Sequence, residues 1–546
     1  MALTIGLVSA ILFVTLSSVR LTAQGLYYDE LHQATASFAY KGTSPEMFST
    51  YAINGIPVLN MPYSGALKTA VYGLYLKFSG ASFSVPSWRL LGILFVSLGL
   101  LLFCVIARRG LPFAAMLAFL LILTDTTVVL ASRHDWGPVA LALLLRLLFV
   151  AIWIRGEAGG SPSAKNTFSL GVLFGLSVFE KISSLILILP LALMLSLTGS
   201  RRSPRHAVAV AGGLVAGASP LIYVNLDTLF RTGSLISFNG PPVAFTGSLS
   251  GFVKYVSEYL TLGNGSLLSS FILGRTVPGL YSQMEGPLVG ALLLLVAAIG
   301  ILRWKSNRLL RLSAVVLVSY LVVGIGIFLS PVPTWVHHWI TGTPFQYAAI
   351  SLAVAGLFGV SQRLDPRDQL LRVAIMALVS SLVVARLIGV ASVEDSLARG
   401  EASLDWDPSL TEVGLFAAQR ADEAIFIAAD WGVATQIYSL SDGQPGLVYQ
   451  LVWNYKGPKD LQRIAESAGK DSLYVVAKKP RSPVNPEVTG RILRDIVELP
   501  GWQEMPVENE IADLRAVEVR KFSPIPSNPR NVQKDPFHAV QEREAR

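Results

Sequence analysis

The chain has 546 residues, of which 52% are apolar and only 15% charged. Soluble chains of that length fold as several domains and carry more charge, so the composition excludes an ordinary soluble protein. The formal net charge is +8, unevenly placed: residues 392–546 hold 18 Lys and Arg against 24 Asp and Glu, and residues 1–391 hold 26 against 12. The basic excess therefore belongs to the apolar part, where it reports membrane orientation and gives no reason to expect nucleic acid as a partner.

A bilayer-crossing helix takes roughly 20 mostly apolar residues. Such runs predict spans at 3–22, 89–107, 112–131, 137–154, 167–180, 182–198, 207–224, 287–303, 311–330, 343–361 and 370–391. They are too long and too uniformly apolar for the alternating strands of a barrel. The expected fold is a polytopic α-helical membrane protein with about 11 transmembrane helices and a C-terminal soluble α/β domain. The first run has no basic segment before it and no small-residue cleavage site before "YYDE", so it reads as a retained helix.

Basic residues fall in alternate loops: Arg108-Arg109, Arg155 with Lys165, Arg201 to His206, Arg303 to Arg311 and Gln362 to Arg372. Lys and Arg collect in short cytoplasmic loops, which predicts an N-terminus inside and a C-terminus outside. The break at Glu180-Lys181 could be a kink in one longer span, but the alternation closes only if two spans meet there.

Going along the chain, "GLYYDELHQA" (Gly25 to Ala34) places Asp29, Glu30 and His32 just past the first span. The external loop at 24–88 includes "PYSGALKTAVYGLYLKF" (Pro62 to Phe78), whose helical apolar spacing predicts a helix lying on the membrane surface. The next external turn, "SRHDWGP", adds Arg133, His134 and Asp135, with Asp125 ten residues earlier. Arg146, inside the fourth span, is expected to bond backbone carbonyls or a neighbouring acid. Glu180-Lys181 follows, then a second long external loop at 225–286, then "TWVHHWITG" with His337 and His338.

Beyond residue 391, "EAIFIAADW" (Glu423 to Trp431) and "SLYVVAKKP" (Ser472 to Pro480) read as short strands. Helical patterns near 410–420 and 458–469 alternate with them, predicting a parallel, Rossmann-like external domain over 392–525. Asp430-Trp431 reads as a structural pair at a strand end. Residues 526–546, rich in Pro, Asn and charge, are expected to be disordered. The single cysteine, Cys104, leaves no intramolecular disulfide or multi-cysteine metal site.

Ionisable groups at membrane depth cost about 3 kcal/mol on insertion scales, so they have partners or a task. Several external connections bring carboxylates, cations and imidazoles to the mouth of one helix bundle, as an acid/base site beside phosphate-binding cations would. The plainer reading stands beside it. Loops poor in Lys and Arg look acidic by default, Asp29-Glu30 could be a solvated pair, and His337-His338 could belong to an aromatic belt with Trp335 and Trp339. The joint arrangement favours the site.

These features together resemble the GT-C integral-membrane glycosyltransferases, of the superfamily of protein O-mannosyltransferases and lipid A aminoarabinose transferases, bacterial members of unknown substrate included. "YYDELHQA" is similar to their acidic motif, "ASRHDWGPVALALLL" to their Arg-x-Asp segment, and "GLSVFEKISSLILILP" to a lysine-bearing segment. "HHWITGTPFQY" is like a late external loop. The resemblance implies transfer of a sugar from a polyprenyl-phosphate-linked donor to a glycan, lipid or protein acceptor outside the cytoplasmic membrane, with inversion. By that analogy Asp29 is the base, Glu30 and Asp135 orient the acceptor or hold a cation, and Arg133, Lys181, His337 and His338 bind the donor phosphate. A divalent metal, with His32 as a ligand, is open. The alternatives are a transporter or flippase of lipid-linked sugars and a non-enzymatic cell-envelope polymer assembly protein. Transporters commonly carry internal repeats, and none is visible here.

Overall fold

The computed structural model describes residues 2–43, 49–107, 112–158, 163–197, 204–238, 248–276, 280–330, 334–359, 366–482 and 484–525. Arg108-Arg109, Arg201 to Ser203, Gln362 to Asp365 and the tail 526–546 lie outside the described residues. The chain divides into two compact units, 1–411 and 412–546.

The first unit is a helical membrane bundle. It opens with α1 (Ala2–Ser17) and the short α2 (Tyr28–Leu31), followed by strands β1 (Tyr51–Ile53), β2 (Ile56–Met61) and β3 (Ser64–Gly65). Then come α3 (Leu67–Ser79), α4 (Val85–Ala107), α5 (Pro112–Leu123), α6 (Thr126–Arg133), α7 (Val139–Ala158), α8 (Ala164–Glu180) and α9 (Ile188–Leu197). The remainder is α10 (Pro204–Thr232), α11 (Leu249–Leu260), α12 (Ser266–Leu273), α13 (Leu280–Leu302), α14 (Arg308–Phe328), α15 (Val336–Trp339), α16 (Thr343–Phe358) and α17 (Pro366–Arg399).

Each expected span coincides with a helix or helix pair. Helices α4, α7, α10, α13, α14 and α17 are each long and apolar enough to cross a bilayer. The span expected at 112–131 is two helices, α5 and α6, that meet at 70°. The bend follows from Asp125, whose carboxylate accepts from Val128 N at 2.8 Å and so caps a new helix, as an N-cap side chain does. The Glu180-Lys181 break is also real. Lys181 is extended, forms a β-bridge with Ser64, and is followed by a 3-10 turn over Ile182–Leu187.

Close packing of α8 on α10 rests on glycines. A Cβ at Gly171 would lie 2.2 Å from the Val210 carbonyl oxygen, and one at Gly217 2.2 Å from that of Val172. No side chain larger than hydrogen fits, so the two backbones touch as small-residue helix pairs do in lipid.

Two corrections concern the segments expected outside the membrane. Pro62 to Gly65 is not helical: β1, β2 and β3 form an antiparallel sheet, and α3 starts only at Leu67. Asn54 and Gly55, both at positive φ, make the tight β1–β2 turn, the backbone that Asn-Gly favours. The soluble unit also begins later than residue 392, because α17 continues to Arg399 and a 3-10 turn at Leu404–Trp406 stays with the bundle.

In the second unit, strands β4 (Ala424–Ala428), β5 (Val448–Gln450), β6 (Ser472–Lys478), β7 (Trp502–Met505) and β8 (Val517–Pro524) form one sheet in the order β5-β4-β6-β8-β7. β4 is parallel to β5 and β6, whereas β8 runs antiparallel to β6 and β7. The expectation of a parallel arrangement thus holds for three strands and misses an antiparallel edge. Ile427, Leu461, Leu473, Val475, Ile492 and Phe522 meet in its core. Asp430 is structural: it accepts from Trp431 N at 2.8 Å and Ser482 N at 3.0 Å, tying two loops together.

Candidate active site

The acidic pair splits its duties. Glu30 is fully buried in a two-pronged pair with Arg89, Nε to Oε1 at 2.7 Å and Nη2 to Oε2 at 2.9 Å. Arg89 also donates to the carbonyls of Leu21 (2.5 Å), Gln24 (2.8 Å) and Gly25 (2.8 Å). The structure holds Glu30 in this pair, where the expectation had it orient the acceptor or hold a cation. Asp29 instead stays half-buried. Its Oδ2 accepts the indole N–H of Trp136 at 2.8 Å, and its carbonyl accepts from His32 Nδ1 at 2.7 Å.

Arg133, expected at the donor phosphate, is also held by protein groups. Its Nη1 donates to the carbonyl of Val19 at 2.5 Å, and its Nη2 to that of Arg20 at 2.8 Å and to Gln24 Oε1 at 3.0 Å. It is fully buried and spends its charge on carbonyls just past the end of α1, as a C-capping cation does. Arg89 and Arg133 together clamp residues 19–25, the lead-in to Asp29.

Asp135 is buried beneath the site. It pairs with Lys68 Nζ at 2.5 Å and accepts from Ala140 N at 2.8 Å at the start of α7. Lys68 also lies 3.8 Å from the Trp88 ring centre, and Trp88 donates its indole N–H to the Glu30 carbonyl at 3.1 Å. Glu180 belongs to the same lattice, accepting from Gln33 Nε2 at 3.1 Å and from Leu67 N at 3.2 Å. A side chain that meets the first amide of α3 offsets that helix's unsatisfied donors.

Lys181 has no ion pair among the described residues and lies within electrostatic reach of Asp29, Asp135 and Arg146. Gly137, at φ +72, forms the floor: a Cβ there would be 3.6 Å from Lys181 Nζ and 3.8 Å from His32 Cε1. Arg146 donates Nη2 to Ser184 Oγ at 3.2 Å, while its buried Nε and Nη1 have no partner among the described residues. The carbonyl or acid expected for it is not what the structure provides.

The imidazoles are neutral at pH 7. Burial lowers His32 to about 4. Burial and the Lys181 and Arg146 charges lower His338 to about 3, and its Nδ1 accepts from Trp335 N at 3.2 Å. His337 packs against Trp136 at 4.8 Å and His338 at 3.9 Å. Neutral imidazoles add no charge, and Lys181 and Arg146 are the cations within electrostatic reach of His338. Among the described residues no three His, Cys, Asp or Glu side chains gather where a metal could bind.

The sequence reading missed Lys68 and Arg89. Their signal was present: a cation at the membrane edge needs an acid, and these two take Asp135 and Glu30.

No protein-family model matches the chain, and no curated protein matches it in sequence. Its structure is similar to ArnT from Cupriavidus metallidurans bound to undecaprenyl phosphate, at 12% identity and TM-score 0.58 over 94% of this chain and 97% of that one. The apo form of that protein gives a TM-score of 0.59 at the same identity and coverage. The arabinofuranosyltransferase AftD from Mycobacteria is similar at 14% identity and TM-score 0.52, over 96% of this chain and 40% of that one. At such identities the likeness establishes architecture, and the architecture of this chain is the GT-C fold of membrane glycosyltransferases.

Proposed function

We propose that the protein transfers a sugar from a polyprenyl-phosphate-linked donor to an acceptor at the outer face of the membrane, with Asp29 as base. The observation that carries this reading is a half-buried carboxylate, oriented by Trp136, beside a lysine that has no ion pair among the described residues. Asp29 takes the proton of an acceptor hydroxyl or amine. That atom forms its bond to the anomeric carbon as the bond to the phosphate oxygen breaks, and the electron pair leaves on the phosphate. A single displacement of this kind inverts the anomeric centre.

Lys181 and Arg146 stabilise the departing charge. Among the described residues the buried Nε and Nη1 of Arg146 have no partner, which is costly for a charge in a bundle core, and a phosphate offers paired oxygens that a guanidinium matches. The undecaprenyl phosphate bound to ArnT supports a lipid phosphate as the anion. The orientation with the C-terminal unit outside follows the alternation of basic loops and belongs to the same proposal.

Binding of undecaprenyl phosphate to the purified protein, followed by native mass spectrometry, tests the anion site. Lys181→Met and Arg146→Met should each weaken binding by roughly tenfold or more, the scale of one charge-assisted hydrogen bond. Undiminished binding by both variants contradicts the proposal.

A further inference from the structure

A second cluster of ionisable groups lies buried in the helical unit and takes no part in the proposed transfer. Asp125 at the head of α6, Glu285 on α13, Tyr347 on α16 and Arg386 on α17 are each no more than 2% exposed. Arg386 donates Nε and Nη2 to Glu285 Oε1 at 2.8 and 2.7 Å, and Nη1 to the Leu121 carbonyl at 3.3 Å. Its guanidinium lies 5.0 Å from the Tyr347 ring centre, and the Tyr347 hydroxyl donates to Asp125, the cap of α6. The turn at 260–265 closes over the cluster. Thr127 donates to the Leu262 carbonyl and Gln346 to that of Leu260 at 3.2 Å, while a Cβ at Gly263 would lie 2.2 Å from Arg386 Nη2.

The elements that meet at this cluster also carry the groups that seat Trp136. Trp136 itself stands three residues past α6. The 260–265 turn leads into α12, whose Phe271 stacks on Trp136 at 4.6 Å and 18°. Just before α16 comes α15, whose His337 packs on Trp136 at 4.8 Å. Ser403, four residues past α17, donates its hydroxyl to the Phe271 carbonyl at 2.6 Å and its amide to that of Ile272 at 2.9 Å. Each of these arms has one end on the cluster and the other on Trp136 or its neighbour Phe271.

We infer that Asp125 and Tyr347 are positioning residues for the base: with Arg386 and Glu285 they hold α6, α12, α15 and the end of α17 in register, so that Trp136 presents its N–H to Asp29. The inference rests on Asp29 being the base and adds residues that act on it only through Trp136. Buried charges keep their partners because separation leaves one of them uncompensated. Short packed elements then carry that constraint to a second site. The Gly137 amide, which donates to the Asp29 carbonyl at 3.4 Å, reports on the seat directly.

Hydrogen–deuterium exchange on the full-length protein in nanodiscs reads the coupling without requiring turnover. Tyr347→Phe and Thr127→Val each remove one hydroxyl and keep the side chain's shape, on two different arms, so either serves should the other fail to fold. In both, amides 134–138 should exchange roughly tenfold faster, the scale of one lost hydrogen bond, with those of α8 and α10 unchanged. Unchanged exchange at 134–138, or an equal rise throughout the bundle, overturns the inference. Kinetics supply the second arm. Tyr347→Phe should lower kcat roughly tenfold with KM for the donor unchanged, and should add little in a Trp136→Phe background, because residues acting through one another are not additive. Losses that multiply in the double variant overturn the inference. Full activity of Asp29→Asn would instead remove the base, and the exchange data would still decide whether the cluster holds Trp136.

Discussion

Trp136 donates its indole N–H to Asp29 at 2.8 Å, while the adjacent Glu30 points away into its pair with Arg89. Two neighbouring carboxylates thus sit in opposite environments, one half-open to the site and one sealed. Asp29→Asn should leave the fold intact and lower transfer on the order of 100- to 10,000-fold, the usual contribution of a positioned base. Trp136→Phe keeps the carboxylate and loses its orientation, so it should cost less. Size-exclusion profiles and turnover, measured together, separate the two effects.

Glu30→Gln should act on stability. Removing one partner of a buried pair leaves an uncompensated charge and costs about 3–5 kcal/mol. The carbonyls held by Arg89 offset part of that cost, but the thermal midpoint in detergent should fall sharply and activity should follow the folded fraction. An inactive Glu30→Gln protein of wild-type stability would place Glu30 in the chemistry instead.

Arg133 and Lys181 should behave as opposites. Arg133→Met uncaps the carbonyls of Val19 and Arg20 and should lower thermal stability, with the affinity of the folded fraction for undecaprenyl phosphate unchanged. Lys181→Met should keep the thermal midpoint within a degree or two and lose lipid phosphate binding. A thermal shift assay beside a binding assay distinguishes them.

Gly137→Ala tests the floor of the site. At φ +72 an alanine is strained by about 1–2 kcal/mol, and its methyl would sit between Lys181 and His32. The expected result is a modest loss of stability with a clear rise in KM for the donor. A wild-type KM would mean that the donor does not pass over Gly137.

The buried histidines should each cost stability on acidification. His32 is lowered from 6.5 to about 4 in the folded protein, so between those values the unfolded chain binds the extra proton. Stability then rises with pH through that window and is lost as pH falls through it. His338, lowered to about 3, has the same sign. As pH falls from about 6.5 toward 4, the thermal midpoint of His32→Asn should gain on that of the wild type. The same pH dependence in both proteins contradicts the buried neutral state.

The helices were legible because apolar runs in a membrane protein report burial in lipid directly, whatever their partners. The break at Glu180-Lys181 was legible through charge. Asp125 could be read as the true end of its span, but the bend into a second helix could not, because Val128 to Ala131 continues the apolar run and a cap adds no hydropathy signal. Site chemistry was legible as residue types and not as pairings. Glu30 and Arg89 are 59 residues apart, Asp135 and Lys68 67. Nothing local distinguishes Asp29, the open carboxylate, from Glu30, the sealed one. Arg133 was expected at a phosphate by resemblance, and its partnership with the carbonyls beyond α1 has no local signal.

The central claim is that Asp29 activates the acceptor against a lipid-phosphate-linked sugar. The most direct measurement is sugar transfer or release by the protein in nanodiscs, from a panel of polyprenyl-phosphate sugars, with and without divalent cation, comparing wild type with Asp29→Asn. Turnover by the wild type alone, with both proteins folded and binding the lipid, is the predicted result. Equal turnover by both would remove Asp29 from the mechanism, and lipid flipping without transfer by the wild type would make the protein a transporter.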